Sequence, residues 1–231
     1  MSADTQKPLL TREKARSSPA GSLKLPGDSR NAILFEIRHS SAFPVRVQRG
    51  TSAMLISHDR EKLIHAIIFF AHETRKCGKV KLFKLLYFLD FEHFKATGRS
   101  VTGLDYFAWQ MGPVPAILFD EIEAPGPDMA AAVHFEERAI RQGRQTMLVI
   151  TPQIPFSSQH FSRREIQLME DLAQRYRDAE SEDMVEATHL ENLPWDKVYH
   201  QQGRRQQLIP YELAARPDEK ETILAPRATL C

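Results

Sequence analysis

Three side chains that could share acid–base chemistry are spread along the sequence: Asp90, Tyr106 and His189. A carboxylate, a phenol and an imidazole could transfer a proton if the fold brought them together. The sequence supplies little else for catalysis, because it shows no nucleophile with a neighbouring base, no glycine-rich phosphate loop and no metal motif. It therefore favours structural roles for these residues, and an enzyme that uses Asp90 and His189 stays the less favoured alternative.

Nine histidines and two cysteines are the residues that could hold a metal ion or form a disulfide. None of the histidines lies in an H-E-x-x-H motif, and His58, His65 and His72 are spaced seven residues apart on one predicted helix, too far to share an ion. Cys77 and Cys231 have no paired spacing. We therefore expect no metal and no cofactor, and this cysteine usage is typical of the reducing cytoplasm.

Asp90 lies in a segment whose neighbours predict a buried helix. Projected at 100° per residue, its side chain falls among apolar and aromatic residues such as Leu86 and Phe94. A buried carboxylate must accept hydrogen bonds or become neutral, so the sequence predicts a fixed polar contact inside the core. Tyr106 and Trp109, on the segment that follows, are the nearest candidate donors.

The other side of the same helix is charged, and one aromatic ring lies within it. Its members are Lys81, Lys84, Phe88, Glu92 and Lys95. An aromatic side chain flanked by lysines on a solvated face is typical of a hot spot for a protein partner. We interpret this stripe as a candidate partner-binding surface. The alternative, equally supported by the sequence, is that the N-terminal segment or the C-terminal region covers it.

The periodicity of the chain predicts a mainly α fold with a small antiparallel β element. Two helices come first, over about 59–76 and 79–96, and the second is apolar around most of its circumference, as a central helix is. The elements that follow are a strand over 104–111, a helix from Gly112-Pro113 to about 123, a hairpin over 133–141 and 145–150, a helix after the capping box Ser162–Glu165, and a shorter helix capped by Ser181.

Charge and composition divide the chain into a tail and a body. Residues 1–53 hold nine Lys/Arg and four Asp/Glu, a net charge of +5, without a sustained period, so we expect a basic and largely disordered extension. The other 178 residues hold 22 Lys/Arg and 26 Asp/Glu, a net charge of −4. Their pattern predicts a compact domain over 54–215 with a tail over 216–231. No apolar run is long enough for a membrane span, and the basic residues are too scattered for a nucleic-acid stripe. We expect a cytoplasmic protein without membrane or nucleic-acid partners.

Two separate blocks of sequence resemble the signature of the SocA-like Panacea domain family. The first lies between Val80 and Pro113 and includes K-L-F-K-L-L-Y-F-L-D and T-G-L-D-Y-F-A-W-Q-M-G-P; the second, from Ser181 to Trp195, carries Thr-His followed by Trp. The resemblance covers about residues 54–211 and implies a compact helical domain. The residues that match the signature, and to which it assigns structural roles, are Lys84, Tyr87, Asp90, Gly98, Thr102, Gly103, Tyr106, Gly112, Pro113, Thr188, His189 and Trp195.

The resemblance implies a non-enzymatic antitoxin of a bacterial toxin–antitoxin system, which binds and neutralises a cognate protein toxin. SocA-like members are also associated with delivery of the toxin to a ClpXP-type protease, so a ClpX-type AAA+ protease is a second expected partner. A disordered extension suits such an adaptor, because a tether raises the effective concentration of its cargo. A DNA-binding autoregulator of the operon stays an alternative, although we find no helix-turn-helix and no basic recognition helix.

Overall fold

A computed structural model describes residues 53–140, 145–190 and 193–215 of the chain. The expected N-terminal extension except for Ala53, the hairpin turn at 142–144 and the C-terminal tail over 216–231 lie outside these residues. In chain order the described elements are α1 (Ala53–Glu73), α2 (Lys79–Thr97), β1 (Tyr106–Trp109), β2 (Gly112–Pro115), α3 (Ala116–Glu121), α4 (Pro127–Ala132), β3 (Val133–Ile140), β4 (Gln145–Pro152), α5 (Arg163–Arg175), α6 (Ser181–Thr188) and α7 (Pro194–Asp196). A π-helical turn over Lys197–Gln201 continues α7, and a 3-10 helix follows over Tyr211–Ala214.

Helix α2 is the centre of the fold, as its sequence predicts. Its side chains are buried continuously from Lys81 to Phe91, and α1, α5, α6, β2 and the 3-10 helix all contact it. Burial on every side requires apolar residues around the whole circumference, which this segment has. The helix ends at Gly98, whose left-handed backbone (φ 74°) lets its amide bond the carbonyl of Phe94.

Helices α1 and α5 pack against α2 and against each other. α5 begins with the predicted capping box: the Glu165 amide donates to the Ser162 hydroxyl, and the Ser162 amide donates to the Glu165 carboxylate. The predicted cap of α6 is wrong by one residue, because Glu180 is the N-cap and Ser181 is the first helical residue. The capping box of α6 is formed by Glu180 and Asp183 in place of the expected serine cap, and the Glu180 amide donates to the Asp183 carboxylate.

Strands β1 and β2 form a tight antiparallel hairpin in which Trp109 lies opposite Gly112. The prediction that Gly112-Pro113 opens a helix is wrong: both residues are buried in β2, and the helix α3 starts at Ala116. The register of β1 and β2 brings Gly112 against side chains of α2 and α6, so the strand is held by packing that local propensity does not show. A segment over 206–209 pairs with the other edge of β1.

Strands β3 and β4 form the second hairpin, with Val133 opposite Pro152 and Ile140 opposite Gln145. The periodicity predicts this hairpin correctly, but it misses helix α4, which begins at Pro127 within a segment read as a helix breaker. Proline at the first turn of a helix costs no hydrogen bond, which explains the error. The predicted fold class, mainly α with a small antiparallel β element, is confirmed. None of the described helices is long and apolar enough to cross a membrane.

Candidate functional site

The first polar cluster inside the core surrounds Asp90, whose side chain is fully buried on α2. Its Oδ1 accepts the backbone amides of Val101 and Thr102, at 2.8 and 2.7 Å. Its Oδ2 accepts the hydroxyls of Thr102 and Tyr106, and the Tyr211 hydroxyl lies 3.4 Å away. We call Asp90, Val101, Thr102, Tyr106 and Tyr211 the Asp90 centre. Both carboxylate oxygens are supplied with donors there, so the fixed polar contact that the sequence predicts is confirmed.

The donors of the Asp90 centre differ in part from those expected. Tyr106 donates as predicted, at 2.8 Å, but Trp109 does not, because its buried indole Nε1 makes no hydrogen bond among the described residues. Burial raises the pKa of Asp90, and the bonds from Thr102, Tyr106 and Val101 oppose that rise. Burial and the neighbouring Asp90 also raise the pKa of Tyr106, which keeps the phenol protonated and able to donate.

The second polar cluster lies two turns earlier on α2, around Lys84. The Nζ atom of Lys84 is buried and donates to the carbonyl of Pro113 at 3.0 Å. A Cβ atom at Gly112 would lie 2.7 Å from this Nζ and 2.8 Å from the hydroxyl oxygen of Thr188. These distances leave no room for a side chain between α2 and α6. The φ of 101° at Gly112 is also unfavourable for residues other than glycine, so both reasons require glycine at this position. Here the two predicted signature blocks meet.

A stack of rings closes this second cluster. His189 lies parallel to Trp195, with ring centroids 3.8 Å apart, and the Trp195 indole N–H donates to the Trp109 carbonyl at 2.8 Å. The Tyr87 hydroxyl is buried near the backbone of Trp195. Together with Lys84 and Gly112, these rings make up a cluster that we call the Lys84 centre. Its members are Lys84, Tyr87, Trp109, Gly112, Pro113, Thr188, His189 and Trp195.

Hydrogen bonding in the Lys84 centre is incomplete. Within the described part of the chain, two buried side-chain nitrogens of this centre, Trp109 Nε1 and His189 Nε2, make no hydrogen bond, and the buried Tyr87 hydroxyl has only the backbone of Trp195 near it. Buried polar groups are paired in the great majority of cases, and an unpaired one costs about 1–3 kcal/mol. The two unpaired nitrogens identify the Lys84 centre as a part of the core in which hydrogen bonding is incomplete.

The electrostatics of the Lys84 centre are equally unusual. Burial lowers the pKa of Lys84 to about 7, so its amine changes charge near neutral pH. Burial, followed by the charge of Lys84, lowers the pKa of His189 to about 4, which keeps the imidazole neutral at neutral pH. A buried amine that titrates near pH 7 is the kind of group found at functional sites. The Lys84 centre is therefore the candidate functional site.

The acid–base set considered from the sequence does not assemble. Asp90 and Tyr106 share a hydrogen bond in the Asp90 centre, whereas His189 stacks on Trp195 in the Lys84 centre, and no hydrogen bond joins His189 to Asp90. Tyr211, which the sequence does not single out, contributes to the Asp90 centre from the far end of the domain. Gly103, the third signature glycine beside Gly98 and Gly112, follows Thr102 and packs near Asp59 of α1.

The charged stripe predicted on α2 is not a solvated face. Lys81 and Lys84 are 1% and 2% exposed, and Phe88 is buried with its ring stacked on Tyr176 at 5.3 Å. Helix α5 and its C-terminal turn therefore cover this side, in agreement with the alternative that the C-terminal region does so. Of the five, Lys95 alone is exposed, and Glu92 is partly exposed. A partner surface on α2 is thus limited to its last turns.

Lys81 shows why the helical projection failed there. Its ammonium group donates to the carbonyls of Arg75, Arg177 and Ala179, at 2.9, 3.0 and 2.9 Å. These carbonyls follow the ends of α1 and α5, where helical carbonyls lack intrahelical partners. A buried lysine with all three of its protons bonded satisfies them, and no helical period in the sequence reports that arrangement.

Comparison with known families gives one match. The family model described as "Antitoxin SocA-like, Panacea domain" matches residues 82–196. This range begins inside α2 and ends at the last residue of α7, so it includes every member of the Lys84 centre and, of the Asp90 centre, all but Tyr211. No curated protein and no solved structure matches the chain.

Proposed function

Residues 82–196 of this chain form a SocA-like Panacea domain, and from that membership we propose that the protein is an antitoxin that binds and neutralises a cognate protein toxin without enzymatic activity of its own. The match over residues 82–196 is the observation that carries the proposal. The separation of Asp90 from His189 supports a non-enzymatic role, because the acid–base pair of the alternative is not formed.

The toxin is proposed to contact the surface above the Lys84 centre. α6 ends at Thr188, and the partly buried His189 connects the buried Trp195 to the surface, where Leu190 is 57% exposed. An exposed apolar side chain next to stacked aromatic rings is the composition of an interface hot spot. The incomplete hydrogen bonding of the Lys84 centre, to which the neighbouring His189 belongs, lowers the cost of rearranging this part of the core when a partner binds.

Genetics tests the antitoxin function itself. We expect deletion of this gene alone to stop growth and deletion together with a neighbouring toxin gene to restore it. Growth that is unaffected by the single deletion, or a double deletion that stays lethal, contradicts the proposal.

A pair of surface variants tests the proposed interface. Leu190→Asp is expected to weaken toxin binding by about 2 kcal/mol, roughly 30-fold, since it puts an unpaired charge into the contact. Ile154→Asp is the matched control, because Ile154 is also an exposed aliphatic residue but lies between β4 and α5. Equal affinities of the two variants would remove Leu190 from the interface and leave the antitoxin function untouched.

The antitoxin is further proposed to act as an adaptor that delivers the toxin to a ClpXP-type protease in the cytoplasm. The basic extension, residues 1–53, is the segment proposed to tether the protease, because a second contact raises effective concentration. A chain that starts at Met54 should bind the toxin normally and slow its degradation by purified protease. Unchanged degradation would make the extension inert, and lost binding would place the extension in the toxin interface.

A further inference from the structure

A second cluster of titratable side chains lies where α1 meets the segment that connects β4 to α5. Glu61 and His65 are one turn apart on α1, and His160 comes from the connecting segment. Each residue offers one ligand atom, and these atoms all lie within 4.8 Å of one another. Glu61 and His65 precede residue 82, so the cluster is only partly inside the matched domain and is independent of the proposed function.

We propose that Glu61, His65 and His160 bind a divalent transition-metal ion, with Zn²⁺ as the best fit. Two imidazoles and one carboxylate are a donor set that zinc takes in proteins, with water in the fourth position. At zinc–ligand distances of about 2.0–2.2 Å, the atoms of a tetrahedral site lie about 3.4 Å apart. Because all the ligand atoms here lie within 4.8 Å of one another, the widest pair must close by at most about 1.4 Å, a distance that side-chain rotation can supply.

The ring contacts already place His160 over α1. Its ring lies nearly parallel to that of His65, with centroids 5.9 Å apart and an interplanar angle of 18°, and the ring of His58 meets it edge-on at 5.8 Å. His65 is buried, whereas Glu61 and His160 are partly exposed. The open side of the cluster thus allows an ion to enter, and the buried imidazole gives it a fixed ligand.

The hydrogen bonds of the two imidazoles indicate which nitrogens would hold the ion. Nδ1 of His65 accepts the Ser157 amide at 3.2 Å, which leaves Nε2 for the ion. The Gln159 amide nitrogen lies 2.8 Å from Nε2 of His160, so this Nε2 accepts; for Nδ1 of that ring to hold the ion, the Gln159 amide must turn its oxygen toward a protonated Nε2. An imidazole that binds metal through Nε2 carries its proton on Nδ1, so metal binding must release the Ser157 amide.

Zinc titration of the untagged full chain, stripped with a chelator, tests the site. Calorimetry should find one ion per chain, and His160→Ala and Glu61→Gln should each lower the affinity more than 10-fold. His72→Ala is the matched control, since His72 lies two turns beyond His65 on α1 and its side chain is 78% exposed; its affinity should equal that of the wild type. Zinc should also raise the melting temperature of the wild type and of His72→Ala, but not of His160→Ala.

Nuclear magnetic resonance adds a local readout, because the Ser157 amide resonance should shift when zinc binds to the wild-type chain. Absence of stoichiometric zinc binding, or a His160→Ala variant that binds like the wild type, overturns the proposal. If circular dichroism shows that His160→Ala has lost its fold, Glu61→Gln decides, because a partly exposed glutamate changes to its neutral isostere.

Discussion

Helix α2 carries two polar centres that differ in how completely their polar groups are hydrogen-bonded. Asp90 and Lys84 are both buried, and they lie six positions apart along the helix. Four donors from three residues bond the two oxygens of Asp90. Lys84 donates to the Pro113 carbonyl, and two buried nitrogens of its centre, Trp109 Nε1 and His189 Nε2, make no hydrogen bond within the described part of the chain.

This difference in hydrogen bonding distinguishes a structural centre, around Asp90, from the candidate functional site, around Lys84. A buried charge whose bonds are complete rigidifies the core, whereas a buried polar cluster with incomplete bonds is a local weakness that the rest of the fold must offset. Both clusters contain signature residues of the family, so the match alone does not distinguish them. Their hydrogen bonds do, and they assign structure to the Asp90 centre and adaptability to the Lys84 centre.

The largest expected effect is the loss of stability on removing the Asp90 carboxylate. Asp90→Ala leaves two backbone amides and two hydroxyls without their acceptor, and we expect it to cost about 3–5 kcal/mol of unfolding free energy. Chemical denaturation measures this loss.

Asp90→Asn is the matched variant, since its remaining oxygen can still accept the amides of Val101 and Thr102. Its cost should be smaller, on the order of 1–2 kcal/mol. If Asp90→Ala were as stable as the wild type, the scaffold role of this centre would be wrong.

A smaller loss of unfolding free energy is expected when a methyl group is added at Gly112 in the Lys84 centre. Gly112→Ala forces a methyl group to within 2.7 Å of Lys84 Nζ at a φ of 101°, and we expect a cost of about 2–4 kcal/mol from overlap and backbone strain. Gly203→Ala is the control, because Gly203 has a φ of 64° and nothing within 4 Å of its added Cβ. The control should cost only about 1–2 kcal/mol. Equal losses of unfolding free energy in the two variants would show that backbone strain at positive φ, and not overlap with Lys84, determines the cost.

The smallest effect at pH 7 is expected for Lys84→Met. The variant leaves the Pro113 carbonyl without its donor but also removes a buried amine, so stability at pH 7 should change by about 1 kcal/mol or less. Its signature is the pH dependence. Because the folded pKa of about 7 lies below the ordinary value of 10.5, the unfolded chain binds more protons between these pH values, and stability should rise with pH by up to about 1.4 kcal/mol per unit.

Lys84→Met should lose that rise between pH 7 and pH 10, and Lys95→Met, a substitution at an exposed lysine of the same helix, should keep it. Denaturation curves at several pH values make the comparison. A wild-type stability that falls across this range in parallel with Lys84→Met would contradict the buried, titrating lysine.

The sequence predicts the scaffold better than the site. The burial of Asp90 and its bond to Tyr106 follow from helical periodicity, because the helix and its donor lie close together in the chain. The unpaired state of His189 does not, since its surroundings come from α2, β1 and α7, and no local pattern reports which donors will meet. Lys81 and Phe88 are misplaced for the same reason: α5 covers the charged side of α2 from a distant part of the chain.

Native-state hydrogen exchange tests the contrast between the two centres most directly. The Thr102 amide, which bonds Asp90, reports on one centre, and the Trp195 indole N–H, which bonds the Trp109 carbonyl, reports on the other. After correction for intrinsic exchange rates, we expect the Thr102 amide to exchange only through global unfolding. The Trp195 proton should exchange through a local opening that costs at least about 1 kcal/mol less. Equal opening free energies at the two protons would contradict the assignment of scaffold and adaptable site.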